Sequence, residues 1–444
     1  MTKCPVSHVP AAELLSREFA RCPFPKLAEL QRDAPVHQVE NLPWYLVTRH
    51  EECAEVLRDT ETFSSEHDEF GPALTAIGIA PSPETYAKMK TIGGERGNMV
   101  DTIPHRDPPD HGRQRRAVVK AITARFRDWE GFIEGQSARL LECFDGREEI
   151  DVISEIAAPL PIAVIAEILG VSDEYLPKIK QWSDHSSQTS GRYPSPEDWE
   201  RQAAAVSAIR ALFAAELRKR LESPSDDLVG QFAAATLQGA DPETGDAPLG
   251  FDEAVDLMSV LLLAGNETTT QLFGSLFYYL ATEPDLLDRV RADPAIIRNV
   301  VEEALRLAAP VFTMMRFCKR DGQIGGIPIP KGSIVTVCFN QANRDPKQFN
   351  HPDAFDPLRP HLRRHLGFGR GLHLCPGAPL ARLEACIWLQ RMSEKVKTIT
   401  LAGPDAVRYD MASMAVRGMT SLRVRYELFD DVRSSGRFTG EVFS

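Results

Sequence analysis

The sequence predicts a mainly α protein with small β-sheets, and three observations carry that prediction. Apolar and small residues recur at helical spacing along most of the chain. The clearest case is 251–284, where Leu257, Leu261, Ala264, Thr268 and Leu272 fall three or four apart. Strand-like runs are few and short: "WYLVTR" (44–49), and "IPIPKGSIVTVCF" (327–339), which reads as a hairpin-like pair. No internal repeat and no Pro/Gly/Ser-rich or single-charge linker interrupts these segments. The 444 residues therefore read as one domain, 1–444, although length alone suggests about three.

Taken in order, the opening "MTKCPVSHVPAAELLSREFARC" lacks the apolar core of a secretory signal. A small β part follows near 44–49. Residues 66–104 form a long excursion punctuated by glycine and proline, and loops of that length tend to be functional covers. "HSSQTSGRYPSPEDWE" (185–200) is a polar bridge with helical patterns on both sides. The 251–284 run is apolar almost all round and is expected to cross the centre of the protein. Residues 283–310 read as two shorter helices, each bounded by a proline, and a second β part lies around 315–340.

Composition narrows the class. A net charge of −12 argues against nucleic acid or an anionic membrane surface as the main partner. No apolar run approaches the ~18 residues of a membrane span. Eight cysteines without a C-x-x-C pair imply reduced thiols, and hence a cytoplasmic location.

The stretch "LGFGRGLHLCPGAPLARLE" (366–384) sets a lone cysteine behind a glycine-rich turn and ahead of a helix. Three readings are open. Cys375 is a buried structural thiol. Alternatively it joins His361, His365 and His373 around zinc, which Arg363, Arg364 and Arg370 would oppose. Or it is a thiolate bound to haem iron, with glycines admitting a flat ring and helix-start amides stabilising the sulfur. "FGRGLHLCPG" (368–377) resembles the haem-binding signature of the cytochrome P450 family, F-G-x-G-x-H-x-C-x-G, at every fixed position. The resemblance implies a haem b (iron protoporphyrin IX) held between the long central helix and this loop. Cys375 would be the axial ligand, with Phe368 and Gly369 lying against the ring. Pro376 lacks the N–H that a residue next to the cysteine can point at the sulfur.

Three further motifs extend the resemblance, which covers about residues 23–425. In "EEALRL" (302–307), Glu303 and Arg306 alone could be a surface i, i+3 pair worth a few tenths of a kcal/mol. They match the family's E-x-x-R motif, which implies a buried network completed by Arg359 of "PDAFDPLRP" (352–360). In "AGNETT" (264–269), a threonine inside a helix most simply bonds the carbonyl one turn back. The resemblance instead places Ala264 and Gly265 beside the haem, with Thr268 hydrogen-bonding the oxygen and Glu267 relaying protons. "DPPDHGRQRR" (107–116) supplies His111 and Arg115, which with Arg316 and His373 match partners of the haem propionates.

The implied enzyme is a monooxygenase that inserts one atom of O2 into an organic substrate. Its electrons would come from NAD(P)H through a reductase and a ferredoxin-type iron–sulfur protein. Arg113, Arg116, Lys120, Arg363 and Arg364 are expected either to form a basic docking patch or to be ordinary solvated charges. An apolar, deformable pocket is expected from the 66–104 loop, Leu263 to Thr268, "APVFTMM" (309–315) and "MASMAV" (411–416). Its candidate residues are Leu263, Val311, Phe312, Met314, Met315, Met411, Met414 and Ala415. They suit a terpenoid, steroid, fatty-acyl or aromatic substrate. A monomer is expected, and the tail 426–444 runs past the family's usual end. Two alternatives stand beside this reading. One is a peroxide-driven peroxygenase, disfavoured by the Glu267–Thr268 pair; the other is a non-catalytic haem or zinc protein.

Overall fold

The computed structural model describes residues 7–14, 16–66, 74, 80–94, 102–124, 126–187, 195–240, 245–409 and 415–430. Its longest helix, Phe251–Thr282, runs 32 residues. Glu253 accepts the Gly250 N–H at 3.1 Å, satisfying one of the amides a helix start leaves open. Leu257, Met258, Leu262, Leu272, Phe273 and Phe277 are buried in the main core, so this helix is central, as its all-round apolarity implies. It packs against the helices Pro159–Ile168, Pro196–Glu222, Ile297–Leu307 and Ala378–Lys395. Phe273 and Phe277 meet Trp388 of the last of these, with ring centroids 6.2 and 6.0 Å away. Arg210 of the Pro196–Glu222 helix pairs with Asp256, which is buried on the central helix.

The two proline-bounded helices form as Leu286–Ala292 and Ile297–Leu307, with a single turn at Pro294–Ile296 between them. Helices also flank the polar bridge at Leu176–Ser187 and Pro196–Glu222. The second begins in a capping box, where Ser195 and Asp198 each accept the other's backbone N–H. The 66–104 excursion is not all loop. Ser82 caps a helix over Pro83–Gly93 that lies on the Pro196–Glu222 helix.

The strands, in chain order, are β1 (Ser7–Val9), β2 (Val36–Val39), β3 (Trp44–Val47), β4 (Phe63–Ser64), β5 (Glu149–Asp151) and β6 (Thr313–Cys318). There follow β7 (Gly322–Ile324), β8 (Ile327–Ile329), β9 (Ile334–Cys338), β10 (Val396–Leu401), β11 (Val407–Tyr409) and β12 (Met419–Leu428). The two β parts read separately from the sequence are one six-stranded sheet, ordered β1-β2-β3-β9-β6-β4. Trp44 locks its parallel seam by donating to Thr336 across β3 and β9 at 2.8 Å.

The expected hairpin over 327–339 does not form. β8 pairs with β7 instead, and β9 inserts between β3 and β6. The turn signal lies one step earlier, at Gly325-Gly326, whose φ values of 55° and 79° suit the two-residue turn that matches strand twist. The second sheet, β10-β12-β11 with β5 on β12, was not expected. In β12, Leu422, Val424 and Tyr426 share the buried face, so residues 426–428 of the supposed tail complete a strand. Residues 431–444 lie outside the described residues. Among the described residues, no helix is long and apolar enough to cross a membrane.

One buried group is left uncompensated. Glu384 of the Ala378–Lys395 helix is 3% exposed, and its Oε2 has no hydrogen-bond partner among the described residues. Burial pushes its carboxyl up from 4.5 to about 8. Native protein therefore keeps a proton that the unfolded chain releases, and this contribution, complete below about pH 4.5, is lost as pH rises through about 8. Glu384→Gln is expected to flatten that loss, so the variant gains on the parent protein above pH 8 in urea titrations. Parallel pH profiles for the two proteins would contradict the assignment.

Candidate active site

The loop carrying Cys375 is shaped by its backbone. Asn343 accepts the Leu366 N–H at 2.7 Å, Gly369 N–H bonds Leu366 O at 2.9 Å, and Cys375 N–H bonds Phe368 O at 2.9 Å. Gly369 and Gly371 hold φ values of 74° and 71°, and a Cβ on Gly371 would lie 2.7 Å from Leu57 O. Only glycine fits there. Loss of solvent around the sulfur pushes the Cys375 thiol up, but Gly377 and Ala378 amides hydrogen-bond the sulfur, and Arg115 and Arg382 oppose the rise by charge. The amide missing at Pro376 is thus replaced by the next two. Cys386 has no such amides, and burial pushes it to about 12. Of these two thiols, Cys375 is the one whose sulfur meets amides at a helix start.

Four basic side chains converge with Asp107 as the nearby carboxylate among the described residues. His111, from the Asp110–Ala124 helix, is fully buried, and neither ring nitrogen has a partner among the described residues. Its ring meets that of His373 at 4.4 Å. Arg115 Nη1, Arg316 Nε and His373 Nδ1 are also buried and unpartnered. Ser65 lies 3.0 Å from His373 Nε2. Burial and the Arg115 charge lower His111 to about 4, and burial, Arg316, His111, Arg115 and His105 lower His373 to about 3. Burial also lowers Arg316 to about 10. Asp107, the nearby carboxylate, is already engaged by Ser64, Ser65 and Lys319. Two buried arginines and two neutral histidines, each with a ring or guanidinium nitrogen left unpartnered among the described residues, fit a bound anion, and the two carboxylates of haem meet that need.

On the central helix, Thr268 donates to Ala264 O at 2.8 Å, the bond one turn back. Ala264 is exposed while Leu262 and Asn266 are buried, so the helix borders open space at that turn. Glu267 accepts from Gln271 at 3.1 Å, and Gln271 also bonds the Met419 amide at 2.6 Å and its carbonyl at 3.3 Å. Gln271 escaped the sequence reading; its i, i+4 spacing from Glu267 was the available signal. Gly265 meets a neighbouring helix. The position its Cβ would take lies 3.3 Å from Ile165, so it serves close packing against the Pro159–Ile168 helix.

Other expectations divide. Glu303 and Arg306 are fully buried and Arg359 is nearly so. Arg306 grips Glu303 with two bonds of 2.7 Å and donates to the carbonyls of Asn343, Pro352 and Ala354. Arg359 reaches Glu303 at 3.3 Å and donates to Asn350, His351 and Ala354. In the pocket set, strand alternation separates the methionines, and Met315 turns with Phe317 toward a core cluster. Phe312 belongs to that cluster too, edge-on to Phe24 at 5.8 Å, so it is core and not pocket lining. Leu263 and Met314 are half-buried, Val311 bridges to Val416, and Ala415 O accepts Phe312 N–H at 2.7 Å. Met411 and Met414 lie outside the described residues.

The basic patch does not assemble as expected. Arg113 is paired with Glu253 at 2.6 Å and Arg116 with Asp246, because the acidic segment at the start of the central helix lies beside them. Lys120, Arg363 and Arg364 remain exposed. The zinc set is also dispersed: His361 is exposed with φ 59°, and His365 is tied to Glu302 at 2.7 Å. Among the described residues no group of three or more metal-ligating side chains occurs.

A family model for cytochrome P450 matches residues 80–398. The chain belongs to the cytochrome P450 family. It is 34% identical over 405 residues to 6-deoxyerythronolide B hydroxylase of Saccharopolyspora erythraea, covering 90% of this chain and 95% of that protein. Cytochrome P450 107B1 of the same organism is 35% identical over 407 residues, 89% of this chain and 93% of its own. P450BioI, solved with a hexadecenoic acid-ligated acyl carrier protein, superposes with a TM-score of 0.79 at 29% identity, covering 92% of this chain and all of that one. CYP109E1 of Bacillus megaterium, solved with corticosterone, has a TM-score of 0.76 at 28% identity, with 92% and 99% coverage. As a P450 this protein is a monooxygenase of small molecules whose cofactor is haem and whose oxidant is O2.

The Glu303 network gives a test of the core beneath this site. Removing the carboxylate leaves two buried guanidiniums facing each other without an anion. Glu303→Gln is expected to cost about 3–5 kcal/mol in urea unfolding, and a loss below about 1 kcal/mol would contradict a buried three-member network.

Proposed function

We propose that this P450 uses Cys375 as the axial thiolate of haem and oxidises a hydrophobic small molecule. The observation that carries the reading is amide-bonded Cys375 together with the buried, under-partnered cluster His111, Arg115, Arg316 and His373. That cluster would hold the two propionates, which in turn would return an anion to each buried donor. When bound, the haem supplies activation of O2 and insertion of one oxygen atom into a C–H bond, the other leaving as water. Gly377 and Ala378 amides steady the Cys375 charge, and glycines 369 and 371 keep the loop close to the ring. Thr268 donates inward to Ala264 O, so its oxygen is left able to accept a proton-bearing partner. Glu267, steadied by Gln271, is placed to pass protons toward it.

The substrate class is apolar: Leu263, Val311 and Met314 supply lining, and relatives are named for macrolide hydroxylation or were solved with steroids and an acyl carrier protein. A macrolide, steroid, terpenoid, fatty-acyl or aromatic skeleton fits that lining. Electrons would come from NAD(P)H through a reductase and a ferredoxin, with Arg363 and Arg364 as the exposed cations nearest the cysteine in sequence. The Glu267–Thr268 pair favours O2 over peroxide as the oxidant. We place the enzyme in the cytoplasm as a monomer.

Reduced protein under carbon monoxide is expected to show the red-shifted Soret band of thiolate-ligated haem. Cys375→Ala loses the band and Cys386→Ala keeps it; the reverse pattern would falsify the ligand. Thr268→Ala is expected to bind haem and substrate and still consume NAD(P)H. Most of the electrons should then appear as peroxide or water, whereas undiminished coupling would remove Thr268 from proton delivery.

A further inference from the structure

Neither the signature loop nor the E-x-x-R pair makes use of Glu302, His365 or Arg382, yet the three form a closed unit around the cysteine loop. Glu302 is 2% exposed on the Ile297–Leu307 helix. Its Oε2 meets His365 Nε2 at 2.7 Å, and Arg382 Nε donates to Oε1 at 2.5 Å and Nη2 to Oε2 at 3.1 Å. Gly367 N–H donates to His365 Nδ1 at 3.0 Å. That bond fixes the tautomer: Nδ1 accepts, so Nε2 carries the proton and donates to Glu302. A Cβ on Gly367 would lie 3.0 Å from both His365 Nδ1 and Leu305 O, so this junction is fully packed.

The other arm reaches the same loop. The Arg382 guanidinium lies 4.4 Å over the Phe368 ring, and Phe368 O accepts the Cys375 N–H. Arg382 is also among the charges that oppose the rise of the Cys375 thiol. Burial alone would raise the Glu302 carboxyl, but its bonds to His365 and Arg382 outweigh this and hold it at about 2. It is therefore ionised throughout the working range. One buried carboxylate thus grips residues 365–368 ahead of the cysteine and Arg382 behind it.

We propose that Glu302 is a positioning residue for the Cys375 thiolate, clamping both ends of its loop through His365 and Arg382 and balancing the Arg382 charge near the sulfur. The proposal rests on Cys375 as the haem ligand. Its electrostatic consequence is signed. Without the Glu302 charge, Arg382 stands uncompensated beside the thiolate and favours the electron-richer ferrous state. Without Arg382, the carboxylate stands alone and disfavours it. Outer-sphere partners of this kind typically change a metal site by about 10- to 100-fold.

The test is a spectroelectrochemical titration of the haem-loaded full chain, with thermal unfolding recorded in parallel. Glu302→Gln is expected to raise the Fe(III)/Fe(II) potential and Arg382→Gln to lower it. Each shift should be at least about tenfold in the reduction equilibrium, or about 59 mV for one electron. The double variant should return toward the parent value. Shifts of the same sign, or unchanged potentials alongside lowered melting temperatures, would make the unit merely structural and overturn the proposal. Should Glu302→Gln retain no haem, Arg382→Gln decides the matter, since its side chain, 28% exposed, lies at the edge of the unit. A fall in potential supports the clamp, and a rise or no change overturns it. Parent protein lacking the thiolate Soret band overturns the ligand and the clamp together, whereas the band with unshifted variants overturns the clamp alone.

Discussion

Two adjacent carboxylates on one buried helix organise the cofactor side of this protein. Neighbouring helical residues point about 100° apart, so Glu302 and Glu303 serve different segments from one position. Glu303 holds Arg306 and Arg359, and these two arginines gather the carbonyls of Asn343, Asn350, His351, Pro352 and Ala354. That fixes the irregular chain running up to the cysteine loop. Glu302 then takes hold of the loop itself through His365 and Arg382. A buried charge is costly unless every donor around it is used. Here the guanidinium and carboxylate groups are almost fully engaged, so the irregular segment has a defined place without regular secondary structure.

The opposite condition marks the cofactor's other end. His111, Arg115, Arg316 and His373 are crowded, buried and short of acceptors. Such an arrangement opposes folding by itself, and burial drives both histidines neutral. In the proposed reading two propionate carboxylates would relieve it, which would couple haem binding to the stability of the chain. The satisfied network and the unsatisfied cluster therefore divide the labour. In that reading, one would place the Cys375 thiolate and the other would receive the propionates.

Much of this was legible in the sequence because some of the chemistry is local. The ten residues 368–377 carry their own turn geometry, and Glu303 and Arg306 sit one helical turn apart. The central helix announces itself through 32 residues of apolar periodicity. The errors share a cause. Arg113 and Arg116 looked like a solvated basic face because their carboxylates, Glu253 and Asp246, lie more than a hundred residues away in the chain. Phe312 looked like pocket lining because the ring it packs against, Phe24, lies far away in the chain.

The sequence by itself determined the helical class, the family and the buried E-x-x-R pair. Each depends on residues close in the chain, whose spacing alone sets their geometry. Only the tertiary structure decided that two β parts are one sheet, that Gly265 admits Ile165, and that Glu302 spans the two ends of the cysteine loop. Those facts depend on which distant segments meet. Pairing between distant segments is selected by the packing and charge balance of the whole chain, which no local pattern encodes.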